Sequence, residues 1–443
     1  MLMFKKESLI NLFKTSKIEE TIFVIILAII LFKFLIFQHY PEHDEVVSIT
    51  LLSSFKTSLI KFYGHNHFLS TQIGNLIIFI FGVDIMKIRL LSLISFFLIL
   101  FIVQKQFKDY SKTFIYIFLY LYVDLIITYF SLYRGYGISA LLSTLIFFLI
   151  DRESYNLKNS KLLYFIMAII ILHCEVNVYL VLPILISMNL KYLRNTNKFE
   201  INSYKNFFLY FIIPFSSIYL MFCFTEGLYA SKIFVSFSNM KDIAPLIFTD
   251  LFDLIYTGFT RLISNEANNV KLFLTFDYFI TNIKTNPLFF SIFVISFFKS
   301  IYFLFLKKKN DLIHLIIFTF FITFLLINRN GPPRIYTGFI SFFIIYILRD
   351  LNLNLLNNEK FNFKIIFNYV LLLLIFFKLS NLNFVRSEDL KEKYLIFEKN
   401  LENCNFPSKY HSAEFDKHFE YFVYLQECKA KPDINKFYNY YKF

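Results

Sequence analysis

Apolar runs separated by short charged loops recur along the whole chain. They fall at 22–37, 68–81, 88–103, 114–130, 135–150, 162–172, 178–190, 207–224, 288–306, 312–327, 335–348 and 365–379. A helix needs about 20 apolar residues to cross a bilayer, fewer where the bilayer is thin, so the runs predict an all-α polytopic membrane protein. Basic residues mark the loops that stay in the cytoplasm. They cluster at Lys5/Lys6/Lys14/Lys17, Lys105/Lys108/Lys112, Arg152/Lys158/Lys161, Lys191/Arg194/Lys198/Lys205, Lys307/Lys308/Lys309 and Arg349/Lys360/Lys364. All of these share one face only if the run at 68–81 does not cross. That run is short and follows "YGHNHF", which suits an interfacial or re-entrant helix on the outer side. The same rule makes the chain rise and return within 162–190, turning at His173–Asn177. About eleven crossings result, the first entering from the cytoplasm and the last leaving to the outside.

Residues 1–380 thus read as one transmembrane domain with outer loops at 38–87 and 225–287. Residues 381–443 read as a small, polar, mostly helical appendage on the outer face. The run at 22–37 is followed by a charged loop rather than a small-residue cleavage site, and reads as a retained first span. Lys33 sits near its outer end, where it can snorkel or pair with the acids that follow.

Composition agrees: 57% of the 443 residues are hydrophobic and 17% charged, with 9 Gly and 9 Pro. The 63 Phe and the absence of Trp reflect AT-rich codons rather than function, and the 30 Tyr can anchor the helices at the interfaces. A net charge of +13 raises the possibility of nucleic acid, but the segment from Asn381 onward holds equal numbers of basic and acidic residues. The excess therefore sits in the short membrane loops, a footprint of topology rather than of DNA or RNA binding. Cys404 and Cys428 are a candidate disulfide in the outer appendage, worth about 3.5 kcal/mol in a chain-entropy account. No metal-ligand spacing is present.

This topology gathers polar residues at the outer edge from separate parts of the chain. They are Glu42, Asp44 and Glu45 in "HYPEHDEVVS", His65, Asn66 and His67, Tyr133, Arg134 and Tyr136, His173, Glu175 and Asn177, and Arg329, Arg334 and Tyr336 in "NRNGPPRIY". A carboxylate at that boundary can act as general base on an acceptor hydroxyl. Arginines can hold the charge left on a departing phosphate. A lipid-phosphate-linked sugar supplies both the electrophilic carbon and that leaving group, so glycosyl transfer needs no bound nucleotide.

The order of these motifs resembles a known superfamily. A span is followed by "HDE", "HNHFLSTQIGNLIIFIFGVDIMKIRLLSLI", "YFSLYRGYGISALL", "HCEVNVY" and "PPRIY". It is similar to the multi-spanning glycosyltransferases of the GT-C fold that use polyprenyl-phosphate sugars, among them protein O-mannosyltransferases and lipid A aminoarabinose transferases. The likeness covers roughly the first 200 residues and 332–336. It implies that the acidic pair Asp44 and Glu45 is catalytic, with Asp44 the base. It places Arg134, Arg334 and Tyr336, and the turn carrying His173 and Glu175, at the donor phosphate. His65 and His67 fall in the family's outer interfacial segment, here without its prolines. Tyr133 stands where the family has an acid beside its arginine, and Tyr336 follows Arg334 one residue later than usual. No cofactor is implied, although some relatives use a divalent ion and His65 and His67 are the residues that could ligate one.

The expected activity is transfer of a hexosyl or pentosyl group from a polyprenyl-phosphate donor to a glycan, lipid or protein acceptor. The expected place is the outer face of the cytoplasmic membrane. A transporter or flippase of a lipid-linked or small polar solute is the alternative, although such proteins carry repeats and midplane charge. A membrane scaffold whose tail binds a partner is a third reading.

Overall fold

The computed structural model describes residues 4–36, 43–52, 68–123, 135–153, 161–174, 177–195, 205–217, 287–308, 311–327, 337–351, 357–358, 361–381, 388–399, 401, 404 and 414–431. The elements are helices, apart from a two-residue antiparallel ladder that pairs Asn357–Asn358 with Phe361–Asn362. In chain order they are α1 (Phe4–Ile36), α2 (His43–Leu52), α3 (Phe68–Phe81), α4 (Ile85–Phe107), α5 (Tyr110–Tyr122), α6 (Tyr136–Glu153), α7 (Lys161–His173) and α8 (Val178–Asn195). There follow α9 (205–217), α10 (Pro287–Leu306), α11 (Leu312–Ile327), α12 (Ile340–Arg349), α13 (Phe363–Ser380), α14 (Glu388–Lys399) and α15 (Glu414–Glu427).

Local chemistry sets the tight connections. Asp84 caps α4 by accepting from the Met86 and Lys87 amides at 3.0 and 3.3 Å, and Asp109 caps α5 by accepting from Ser111. Between α4 and α5, Lys108 adopts the left-handed conformation that ends a helix, and its N–H donates to the Gln104 carbonyl. Two residues therefore reverse the chain and make α4 and α5 antiparallel neighbours.

The ends of several helices meet in a charged cluster. Arg349, at the end of α12, pairs with Asp151 near the end of α6 at 2.9 Å and with Asp311 before α11 at 2.6 Å. Lys112 at the start of α5 donates to the Arg349 carbonyl, and Lys364 at the start of α13 reaches Asp109. Lys299 in α10 donates to the Tyr346 and Ile347 carbonyls and pairs with Asp350, satisfying the last turn of α12. This end holds members of the basic loop clusters at 105–112, 307–309 and 349–364. The opposite termini meet elsewhere: Lys33 of α1 donates to the Ser380 carbonyl at the end of α13.

Between the two ends the helices pack through an apolar core and a buried hydroxyl chain. Tyr116 of α5 and Thr144 of α6 each lie 2.6 Å from Ser341 of α12. Ser143 also donates to the Gly338 carbonyl. A Cβ at Gly338 would stand 2.8 Å from that of Ser139, so glycine is what lets the chain entering α12 come this close to α6.

The outer surface is apolar in turn. Phe79 is 79% exposed, Leu306 71% and Leu373 70%, with Phe32, Phe101 and Phe298 also exposed. Among the described residues two helices, Ile85–Phe107 and Pro287–Leu306, are long and apolar enough to cross a membrane, and several shorter apolar helices accompany them.

Candidate functional site

The acids of "HDE" open α2. Glu45 is fully buried, and both of its carboxylate oxygens are engaged by Arg89 of α4: Nε donates to Oε1 at 2.9 Å and the terminal nitrogen to Oε2 at 2.5 Å. Arg89 is 2% exposed. This is a fork-to-fork pair, the strongest geometry open to two such groups. Both oxygens of Glu45 are thus committed to Arg89, and the pair ties α2 to α4. Asp44 lies within α2, and its side chain is outside the described residues.

A second polar tie sits nearer the end of α2. Thr50 Oγ1 lies 2.8 Å from Nδ1 of His418 on α15, both groups buried. Val46 and Ile49 lie in a small apolar core with Ile78, Val83, Ile85 and Ile88 of the α3–α4 corner and Phe419, Phe422 and Val423 of α15. The segment beyond Asn381, read from the sequence as an appendage, thus packs its last helix on the acid-bearing helix. The structure joins Cys404 to Cys428 by a disulfide, so that the end of α15 is covalently held to the stretch before it. Tyr394 of α14 donates to Glu427 and accepts from Gln426 at 2.7 Å, and burial beside that carboxylate raises the Tyr394 hydroxyl pKa.

The His173 turn forms a third part. The His173 ring nitrogen Nε2 lies 2.8 Å from the Gly135 carbonyl, where Gly135 has a φ of +70°. Asn177 donates to Ser139 at 3.1 Å and to the Ile170 carbonyl at 2.9 Å. Both side chains are buried, so this turn is held by the start of α6. Tyr136 is buried at the same start. Bridging the two parts is α3, which packs against α2, α4 and α7. It buries Ser70, Thr71 and Asn75 while exposing Leu76, Phe79 and Ile80.

His65, His67, Arg134, Glu175, Arg334 and Tyr336 lie outside the described residues, as do Asn66, Tyr133 and Arg329. Among the described residues no group of three or more His, Cys, Asp or Glu side chains could hold a metal ion. Sequence reasoning missed Arg89, Thr50 and His418. Arg89 had a signal: an arginine within an apolar run is costly and needs a partner. For His418 no local signal exists.

No protein-family model, no curated protein and no solved structure matches this chain. The geometry of the site therefore carries the functional argument.

Proposed function

We propose that the chain is a polytopic membrane glycosyltransferase of the GT-C type. It moves a sugar from a polyprenyl-phosphate donor to a glycan, lipid or protein acceptor at the outer face of the cytoplasmic membrane. The observation that carries the reading is the buried Glu45–Arg89 pair. It fixes the rotation of a short acid-bearing helix at the start of α4, while the end of α4 leads into the charged cluster. A buried charge pair is expensive unless its geometry is excellent, and placing one here orients α2.

Two further observations support a membrane setting. Polar groups point inward (Ser111, Thr144, Asn177, Ser341) and large apolar groups outward, the reverse of a water-soluble surface. Helix ends also sort so that members of the basic loops share the Arg349 end, the distribution expected of cytoplasmic loops.

In this mechanism Asp44 takes the proton of the acceptor hydroxyl, whose oxygen attacks the anomeric carbon with inversion. The bond to the lipid phosphate breaks, and Arg134 and Arg334 hold the phosphate charge. Consecutive helix positions project about 100° apart, so fixing Glu45 also fixes where residue 44 projects. The test uses the purified protein in lipid with radiolabelled polyprenyl-phosphate sugars, following release of lipid phosphate. Asp44→Asn is expected to lower release by about 10²- to 10⁴-fold without lowering Tm. Undiminished turnover in that variant would sink the assignment of the base, and transport of an intact donor without release would favour the flippase reading.

A further inference from the structure

We propose that the C-terminal segment is a clamp on α2, with His418 as a positioning residue for the base that α2 carries. The second half of this statement rests on the transferase reading above.

The argument begins with what an apolar contact can specify. Val46 and Ile49 against Phe419, Phe422 and Val423 give adhesion, but an apolar face alone tolerates sliding and rotation. Polar ties remove that freedom, because a slipped helix would leave buried groups unpaired. Among its described side chains α2 shows such a tie in each half, Glu45 to Arg89 and Thr50 to His418. The first reaches α4 and the second reaches α15, so two different elements hold the helix.

α15 also grips the other side of the ion pair. Gln426 Oε1 accepts from the Ile85 amide at 3.3 Å, one of the N–H groups without an intrahelical acceptor at the start of the helix that supplies Arg89. One helix near the end of the chain thus touches both scaffolds of the Glu45–Arg89 pair. Its grip is fastened at the same place: Gln426 and Glu427 bond to Tyr394 of α14, and Cys428 is bonded to Cys404. A tail that served only as a surface appendage would need none of these inward contacts.

Hydrogen–deuterium exchange of the full-length protein in lipid reads the clamp without any substrate. In His418→Ala, and in the double variant Cys404→Ser with Cys428→Ser, amides of α2 are expected to exchange about tenfold faster, while those of α5 and α12 are unchanged. His418→Asn, which keeps a side-chain hydrogen-bonding group, is expected to restore much of the protection. If His418→Ala does not fold, Thr50→Val removes the same bond from the other partner and is read in the same way. For positioning, single-turnover lipid-phosphate release per mole of donor-binding protein is expected to fall about tenfold in His418→Ala with donor Kd unchanged.

The outcomes separate. Exchange in α2 that none of the variants moves overturns the clamp. Faster exchange with undiminished release overturns the positioning role. Wild type that releases no lipid phosphate from any donor overturns the transferase reading, while the exchange result still decides the clamp.

Discussion

Arg89 and Glu45 illustrate how one residue changes the meaning of its neighbour. The sequence presents Glu45 as one of two adjacent acids, and the structure adds that both of its oxygens are held by a buried guanidinium. Removing Arg89 takes the guanidinium from a fully buried carboxylate, a change that typically costs about 3–5 kcal/mol. Arg89→Ala is therefore expected to lower Tm strongly, and Arg89→Lys to recover only part of the loss because an ammonium cannot reproduce the fork. Thermal unfolding in lipid would check both, and equal stability of Arg89→Ala and wild type would refute the pair's role. The acids of α2 were legible from the sequence because they are adjacent and follow an apolar run. The pairing of Glu45 with Arg89 was not, since that partner lies in another helix and adjacency says nothing about which acid is occupied.

At the scale of elements, the apolar runs mapped well onto helices because each signal is local. The run read at 162–172 is α7 (Lys161–His173), that at 178–190 opens α8, and that at 365–379 is α13. The helical run at 68–81 coincides with α3, which turns Thr71 and Asn75 inward and Phe79 outward. What pairs with what was not legible, because packing partners are set by shape. Gly338 shows this: only the structure reveals that its missing side chain makes room for Ser139. Gly338→Ala is expected to push α12 from α6 and to cost about 1–3 kcal/mol, visible as a lower Tm. An unchanged Tm would mean that Ser139 moves aside freely. The tail helices carry a further lesson. Truncation before Asn381 would remove His418 and Gln426 together, and with them the hydrogen bonds of α15 to α2 and α4.

Across the whole molecule, the charged cluster around Arg349 ties α6, α11 and α12 together at one end of the helical assembly. Burial works to raise the Asp311 carboxyl, but the Arg349 charge, its hydrogen bond and the Ile313 amide together hold it below the ordinary carboxylate range. A carboxyl depressed by folding contributes stability that is complete above its unfolded pKa, about 3.9, and is lost as pH falls through the folded value. The Tm difference between wild type and Asp311→Asn is therefore expected to be widest above about pH 5 and to close as pH drops below about 4. A difference constant down to the acid limit would show that the Arg349–Asp311 contact does not depend on the carboxylate charge. That Lys112, Arg349 and Lys364 meet at one end agrees with the reading of their loops as basic clusters that share a face. The bridging of three helices by a single arginine was not legible in the sequence.

The contact between Thr50 and His418 spans 368 positions of sequence. Glu45 and Arg89 are 44 apart and can meet soon after both have left the ribosome. At ordinary elongation rates of 5–20 residues per second, the interval before His418 arrives is roughly 20–70 s. During that time α2 lacks its tie to α15. A helix made near the start of the described chain thus waits for a partner that lies 368 positions further on.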